Sequence, residues 1–416
     1  MTEHHAIEGL LLRLLIVLAA LVFLSLLFGR IARRFGQPKE VGEILAGIAL
    51  GPTLVGRVFP RAWEAVLTPD VKQSVSVLSQ LGLVLLMILI GAEFPFRRVR
   101  GTIRGAAGVA IAGIAAPFGL TLAIAPLFVR ALAIPPERAV VFSLLLATAV
   151  SITSIPIMGR ILRALSLTET RVGLVSITAA AIDDVLGWTL LGAVVGVAQA
   201  GIDGGGVLIA LAGAALLAAG AVLTGRWLAA HVPEERYTAG IPPTDLALVL
   251  GSALLLCAAT NAIGIFSIFG GFLAGVAISF HRPLARALDA QLHAVVSVLF
   301  LPIFFMFSGL KTDLTGLGGS VTTWALLGAL LLAAFAGKIL PCAWIARRSG
   351  FPPREAWAVG ILMNTRALMA LVVINVGYDL KIFPKAVFVM LVTVAVVSTV
   401  ITTPLLRRLV PRAEPL

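Results

Sequence analysis

The sequence predicts an all-α polytopic membrane protein, on three observations. Apolar residues fill 59% of the 416 positions and charged residues only 12%, a balance that soluble domains do not show. The apolar residues gather into runs long enough to cross a hydrocarbon core of ~30 Å as helices. Three of those runs carry ionisable side chains near their middles: Asp183 with Asp184, then Lys338, then Arg366. Such groups are costly in lipid and mark ion or proton pathways. A backbone in lipid must satisfy its own hydrogen bonds, so every run is expected to be helical.

About thirteen runs follow in order: 10–29, 40–56, 74–92, 103–129, 139–159, 172–199, 206–225, 245–261, 264–280, 290–310, 322–346, 355–377 and 384–405. The first reads as a span and not as a cleavable signal, because no small-residue cleavage site follows it. His4 and His5 precede it in a polar tip with no function assigned. In the second, Glu43 lies four residues after Lys39 and can pair with it. Glu93 ends the third at the headgroups. Asp203-Gly204-Gly205-Gly206 is a turn before the seventh. Asp245, after Pro242-Pro243-Thr244, reads as a helix N-terminal residue of the eighth. Gly271 and Gly275 give the ninth a spacing that favours close helix packing. Cys257 and Cys342 both fall inside spans, so no disulfide framework is expected.

Basic residues set the orientation. One set of alternate loops holds clusters: Arg30, Arg33, Arg34 and Lys39; Arg97, Arg98, Arg100 and Arg104; Arg160, Arg163 and Arg171; Arg226 and Arg236; Arg282 and Arg286; Arg347, Arg348 and Arg354; Arg407, Arg408 and Arg412. The opposite loops hold scattered ones, such as Arg57, Lys72, Arg130, Lys311 and Lys381. The clustered set is therefore expected to be cytoplasmic, with the N-terminus outside and the C-terminus inside. An odd number of spans agrees with that. The formal net charge of +12 is a loop property here and gives no reason to expect a nucleic-acid partner.

Along a helix Asp183 lies ~18 Å from Arg171 and ~30 Å from Asp203. An aspartate at a helix centre costs roughly 2.5–3.5 kcal/mol on insertion scales. Adjacent helical residues point ~100° apart, so the two carboxylates face different neighbours. Lys338 is ~13 Å from Arg347, and Arg366 is ~18–20 Å from Arg354 and from Asp379. Pairing of the buried bases with the buried acids is expected over snorkelling.

The fifth span contains Thr148-Ala149-Val150-Ser151-Ile152-Thr153-Ser154-Ile155-Pro156. Pro156 removes a donor and clashes with the preceding turn, so a broken helix with exposed carbonyls is expected, of the kind that coordinates small cations. A simple proline kink is the alternative. The twelfth span has Asn364-Thr365-Arg366 at similar depth; with no proline and only Gly360 to weaken the helix, its break is less strongly indicated. If it breaks, Arg366 can offset the negative ends of half-helix dipoles. Spans 1–6 and 8–13 form two six-helix sets with span 7 as link, and the odd offset makes them inverted repeats.

These motifs resemble the monovalent cation/proton antiporter superfamily, in its second branch of sodium/proton and potassium/proton exchangers. The matching stretches are Gly36-Gln37-Pro38 with Gly42-Glu43-Ile44-Leu45-Ala46-Gly47 and Leu50-Gly51-Pro52; Ser151-Ile152-Thr153-Ser154 leading to Arg160-Ile161-Leu162; Ile182-Asp183-Asp184-Val185; Leu301-Pro302-Ile303-Phe304-Phe305 through Gly309-Leu310-Lys311-Thr312-Asp313; and Met363-Asn364-Thr365-Arg366. The paired aspartates are similar to those of electrogenic members, whereas electroneutral relatives carry Asn-Asp. Ala370 departs from the glutamate that many similar sequences place there.

The resemblance implies a homodimer in a bacterial inner membrane that exchanges Na⁺ or K⁺ for protons by alternating access, with no cofactor. It implies scaffold helices at 1–98, core helices at 99–203, a linker at 204–236, scaffold again at 237–314, and core again at 315–416. The second aspartate, Asp184, would hold the cation, with Asp183 as a second candidate ligand and Thr153 and Ser154 assisting. Lys338 would pair with Asp183 and take part in proton coupling, and Arg366 would be a structural charge. Two rivals remain. A channel would need a continuous filter, and no such motif is present. An intramembrane aspartyl enzyme would need two converging carboxylates, which adjacent helical residues do not provide.

Overall fold

The computed structural model describes residues 2–93, 103–200, 204–263, 266–318 and 320–409. Arg97, Arg98, Arg100 and Arg412 of the basic loops, and Asp203, lie outside the described residues, while Gly204, Gly205 and Gly206, expected in a turn, instead form the first turn of a helix over Gly204–His231. The helices are α1 (Thr2–Arg34), α2 (Lys39–Leu50), α3 (Val55–Val58), α4 (Pro60–Val66), α5 (Pro69–Ala92), α6 (Ile103–Ala131), α7 (Pro136–Ser151), α8 (Ile155–Ala164) and α9 (Arg171–Ala200). They continue as α10 (Gly204–His231), α11 (Pro243–Ala262), α12 (Ser267–Ser279), α13 (Arg282–Val295), α14 (Leu301–Leu310), α15 (Val321–Arg348), α16 (Pro353–Met363), α17 (Leu368–Asp379) and α18 (Lys385–Leu409). No strand occurs among the described residues.

The chain is thus all-helical. Among the described residues, 11 segments are long and apolar enough to cross a membrane, with α7–α8 and α16–α17 each counting as one. α12 is apolar but shorter, at 13 residues, and α10 is a 28-residue apolar helix whose first part has side chains outside the description. A π-helical stretch, Val296–Phe300, joins α13 to α14.

The chain divides into two compact units. One comprises Met1–Ser25, Phe59–Phe96 and Gly192–Phe307. Its organising contact is glycine-mediated. A Cβ on Gly275 of α12 would stand 2.2 Å from the Ile88 carbonyl oxygen of α5, and one on Gly91 would stand 2.3 Å from that of Phe272. Only glycine permits backbones this close, which is what the Gly271/Gly275 spacing indicates. α10 reaches α12 in the same way at Gly225, 2.6 Å from the Ala277 oxygen by the same measure. Asp245, in the first turn of α11 as expected, accepts from Arg236 Nε and Nη2 at 2.6 and 2.8 Å and from the Tyr237 hydroxyl at 3.0 Å. His281 accepts at Nδ1 from the Leu284 amide and so caps α13.

The second unit comprises Leu26–Val58, Arg97–Leu191 and Ser308–Leu416 and holds all four mid-span charges. α15 is gripped on two sides through small residues: Gly337 abuts Pro117 of α6, and Gly360 of α16 abuts the Ile339 carbonyl. The Lys39–Glu43 pair forms at 3.5 Å. Beside it the buried Glu40 accepts from Arg160 of α8, a partner that the sequence reading does not assign.

Overpacking a tight contact costs about 1–3 kcal/mol. Gly275→Leu is therefore expected to lower the Tm of detergent-purified protein by several degrees in a thermal-shift assay. Gly251→Leu, on a part of α11 with nothing within 4 Å of a Cβ, is expected to leave the Tm unchanged. Equal Tm values for both variants would contradict the glycine-mediated contact.

Candidate ion-binding site

Two broken helices build the site. α7 ends at Ser151 and α8 begins at Ile155, with extended backbone at Ile152 (φ −82°, ψ 139°) and Ser154 (φ −114°, ψ 103°). Pro156 sits in the first turn of α8, where a missing N–H leaves no helix bond unmade. The twelfth span is broken too: α16 ends at Met363 and α17 begins at Leu368. The two breaks lie against each other. The Ser154 amide donates to the Thr365 carbonyl at 3.0 Å, and Thr153 Oγ1 donates to the Met363 carbonyl at 2.8 Å.

Breaking α7 leaves carbonyls at its C-terminal, negative end without helical partners. Both buried bases meet them. Arg366 donates from Nε and Nη2 to the Val150 oxygen at 3.0 and 2.6 Å. Its fork also reaches the Ala334 oxygen at 3.1 Å and Asn364 Oδ1 at 2.5 Å. Lys338 Nζ donates to the Ser151 oxygen. The Arg366 carbonyl in turn accepts from Thr399 of α18. No more than 1% of Arg366 or Lys338 is exposed.

The two aspartates of α9 then take different roles. Asp183 has both oxygens engaged: Lys338 Nζ lies 3.2 Å from Oδ1 and 3.4 Å from Oδ2, and the Thr153 amide donates to Oδ2 at 2.6 Å. Asp184, 1% exposed, has no hydrogen-bond partner at either oxygen. Ser154 Oγ, equally buried, has none either. Close approach is secured by two glycines: a Cβ on Gly187 would stand 3.0 Å from Ile152, and one on Gly113 of α6 would stand 2.8 Å from Cys342 Sγ, one helical turn from Lys338 on α15.

The sequence-indicated residues are therefore distributed as follows. Asp183, Lys338, Arg366 and the Thr153 backbone form one network. The Thr153 hydroxyl proton is engaged by Met363, which leaves its oxygen lone pairs for a cation. Asp184 and Ser154 Oγ remain as uncommitted oxygens. Carboxylate, hydroxyl and carbonyl oxygens form a hard donor set, suited to an alkali cation. Among the described residues no group of three His, Cys, Asp or Glu is arranged to hold a metal. The sequence reading missed two buried polar atoms on α9, Ser176 Oγ and Trp188 Nε1, both without partners. Their spacing of eight and four residues from Asp184 was the available signal.

A fold of broken, crossing helices with charges at the crossing defines a class of ion-coupled membrane transporters. The chain belongs to the family of transmembrane sodium/hydrogen exchangers, whose model matches residues 19–410. It is 33% identical to the Na⁺/H⁺ antiporter NhaS4 of a Synechocystis species, over 96% of this chain and 98% of that protein. It is also 33% identical to the cation/H⁺ antiporter 18 of Arabidopsis thaliana, over 92% of this chain, but spans only 47% of that longer relative. Among solved structures, the sodium/proton antiporter NhaP1 of Methanocaldococcus jannaschii superposes with a TM-score of 0.63 over 95% of this chain and 96% of that one. At 19% identity that likeness speaks to the fold alone. The protein is an integral membrane protein, and its relatives are transporters and not enzymes.

Arg366→Ala removes the donors from two buried carbonyls and a compensating charge. Breaking such buried networks costs about 3–5 kcal/mol, so a marked fall in Tm and in the monodisperse fraction is expected by thermal shift and gel filtration. Arg366→Lys should recover little, because a single ammonium cannot reproduce the fork. An Arg366→Ala protein as stable as the wild type would contradict the capping role.

Proposed function

We propose that the chain exchanges a monovalent cation, Na⁺ or K⁺, for protons by alternating access. The observation that carries this reading is Asp184: a carboxylate inside a membrane span, 1% exposed, with both oxygens uncommitted beside a helix break. Its neighbour Asp183 has both oxygens engaged, so the uncommitted oxygens belong to one carboxylate of the pair. A dry carboxylate of this kind is stable when it carries a proton or a cation, and alternation between the two is exchange. Asp184 is the main ligand on this reading, with Ser154 and Thr153 assisting and Asp183 close by. No cofactor is invoked.

The names of the relatives support the same reading. The proposal extends to thirteen crossings in two inverted six-helix halves, a homodimer, and a bacterial inner membrane with the N-terminus outside. The helices at 99–203 and 315–416 form the moving core in this scheme, those at 1–98 and 237–314 the scaffold, and 204–236 the linker. The two compact units have other bounds: Leu26–Val58 falls in the unit that carries the charged spans, and 204–236 in the other.

Electrogenic exchange follows from the Lys338–Asp183 pair. A cation arriving at Asp184 displaces that residue's proton, one positive charge for another, and by itself leaves the charge of the site unchanged. If the ammonium releases a proton in response, two protons leave for one cation and net charge moves.

Two measurements on proteoliposomes test this. Asp184→Asn is expected to abolish dissipation of a pH gradient by Na⁺ or K⁺ while the protein stays monodisperse; near-normal exchange would overturn the assignment. Lys338→Gln is expected to convert an electrogenic signal on solid-supported membranes to an electroneutral one. Persistence of the current in active Lys338→Gln protein would make lysine a strut and not a carrier.

A further inference from the structure

α9 carries polar atoms that the charge network does not use. Steps of four from Ser176 pass through Ala180 and Asp184 to Trp188, which is one ridge of the helix surface. Trp188 is 2% exposed and Ser176 fully buried. Ser176 Oγ, both Asp184 oxygens and Trp188 Nε1 all lack a hydrogen-bond partner. Asp183, one residue off this ridge, has both oxygens engaged.

A buried indole N–H ordinarily finds an acceptor. Here a donor without an acceptor stands one turn, ~6 Å along the axis, from an acceptor without a donor. Both buried bases and two amides at the crossing are committed: Lys338 to Ser151 and Asp183, Arg366 to Val150, Ala334 and Asn364, the Thr153 amide to Asp183, and the Ser154 amide to Thr365. Trp188 Nε1 is the one buried side-chain nitrogen without a partner among the described residues. Ser176, ~12 Å away in the other direction, is too distant to share an ion with Asp184.

We propose that Trp188 is a positioning residue for the cation site. In the loaded site its indole N–H donates to one Asp184 oxygen and so turns the other oxygen toward the cation. A carboxylate has lone pairs enough for both partners, and a hydrogen bond to a charged acceptor is among the stronger ones. The indole body closes the site on the side of the α9 C-terminus. This inference rests on Asp184 being the cation ligand, and its test separates the two claims.

The cation dependence of exchange would be measured in proteoliposomes for Trp188→Phe, Trp188→His and Asp184→Asn. Trp188→Phe keeps an aromatic ring but loses the donor, and is expected to raise the apparent KM for Na⁺ or K⁺ roughly ten-fold or more with the maximal rate largely kept. Trp188→His retains a ring N–H and is expected to recover most of that loss. An unchanged KM in Trp188→Phe overturns the proposal. So does an equal fall in maximal rate in Phe and His variants at unchanged KM, which marks simple packing. Full exchange by Asp184→Asn overturns the underlying ligand assignment instead.

A second measurement needs no change at Trp188. Of the six tryptophans, Trp63, Trp227, Trp324, Trp344 and Trp357 are replaced by Phe, and emission from Trp188 is followed on adding Na⁺ or K⁺, with choline as control. A saturable spectral change that Asp184→Asn abolishes is expected. Emission indifferent to the alkali cations, in protein that still exchanges them, contradicts the proposal.

Discussion

Two buried cations held against the cut end of one helix are the constraint on which the rest of the site depends. Interrupting α7 at Ser151 frees the carbonyls of Val150 and Ser151, both fully buried residues. A carbonyl left so would cost about 1–3 kcal/mol. Arg366 caps one and Lys338 the other, and both come from the second half of the chain. Their own charges then require an anion in the same dry region. Asp183 supplies it, locked by Lys338 and by the Thr153 amide. The break, the bases and the first aspartate are one mutually dependent unit.

That unit accounts for why two adjacent carboxylates differ in role. The turn of ~100° between successive helical residues directs Asp183 into the network and leaves Asp184 outside it. On the proposed reading, a cation at Asp184 would leave the crossing intact. The fixed charges make the site responsive, because Lys338 and Asp183 sense any charge gained or lost next door through a low-dielectric interior. Glycines at positions 113, 187, 337 and 360 bring the helices close enough for these contacts.

Much of this was legible in the sequence because lipid makes polar residues conspicuous. Asp183, Asp184, Lys338 and Arg366 stand out in apolar runs, and the Ser-Thr-Pro cluster marks the first break. The second break was harder to read: no proline marks it, and it is stabilised by partners distant in sequence, Thr153 on Met363 and Thr399 on Arg366. The dipole that Arg366 caps was equally hidden, since Val150 belongs to α7 and not to its own span. The second task of Thr153 was not legible: its hydroxyl proton and amide join elements, while the hydroxyl oxygen keeps its lone pairs. Trp188 escaped notice because a tryptophan in an apolar span looks like packing until its nitrogen is found without a partner. The Arg160–Glu40 contact escaped for a similar reason, as loop arginines read first as orientation signals.

The central claim is that Asp183 is a fixed element of the frame and that Asp184 is the carboxylate that takes the ion. The most direct test is the location of a bound heavy alkali-like cation, such as Tl⁺, by anomalous diffraction from crystals grown at alkaline pH. The account predicts a single peak within coordination distance of an Asp184 oxygen, near Ser154, with the Lys338–Asp183 pair still in place. A peak on Asp183 with Lys338 displaced, or an ion bound elsewhere while Asp184 stays without a ligand, would contradict it.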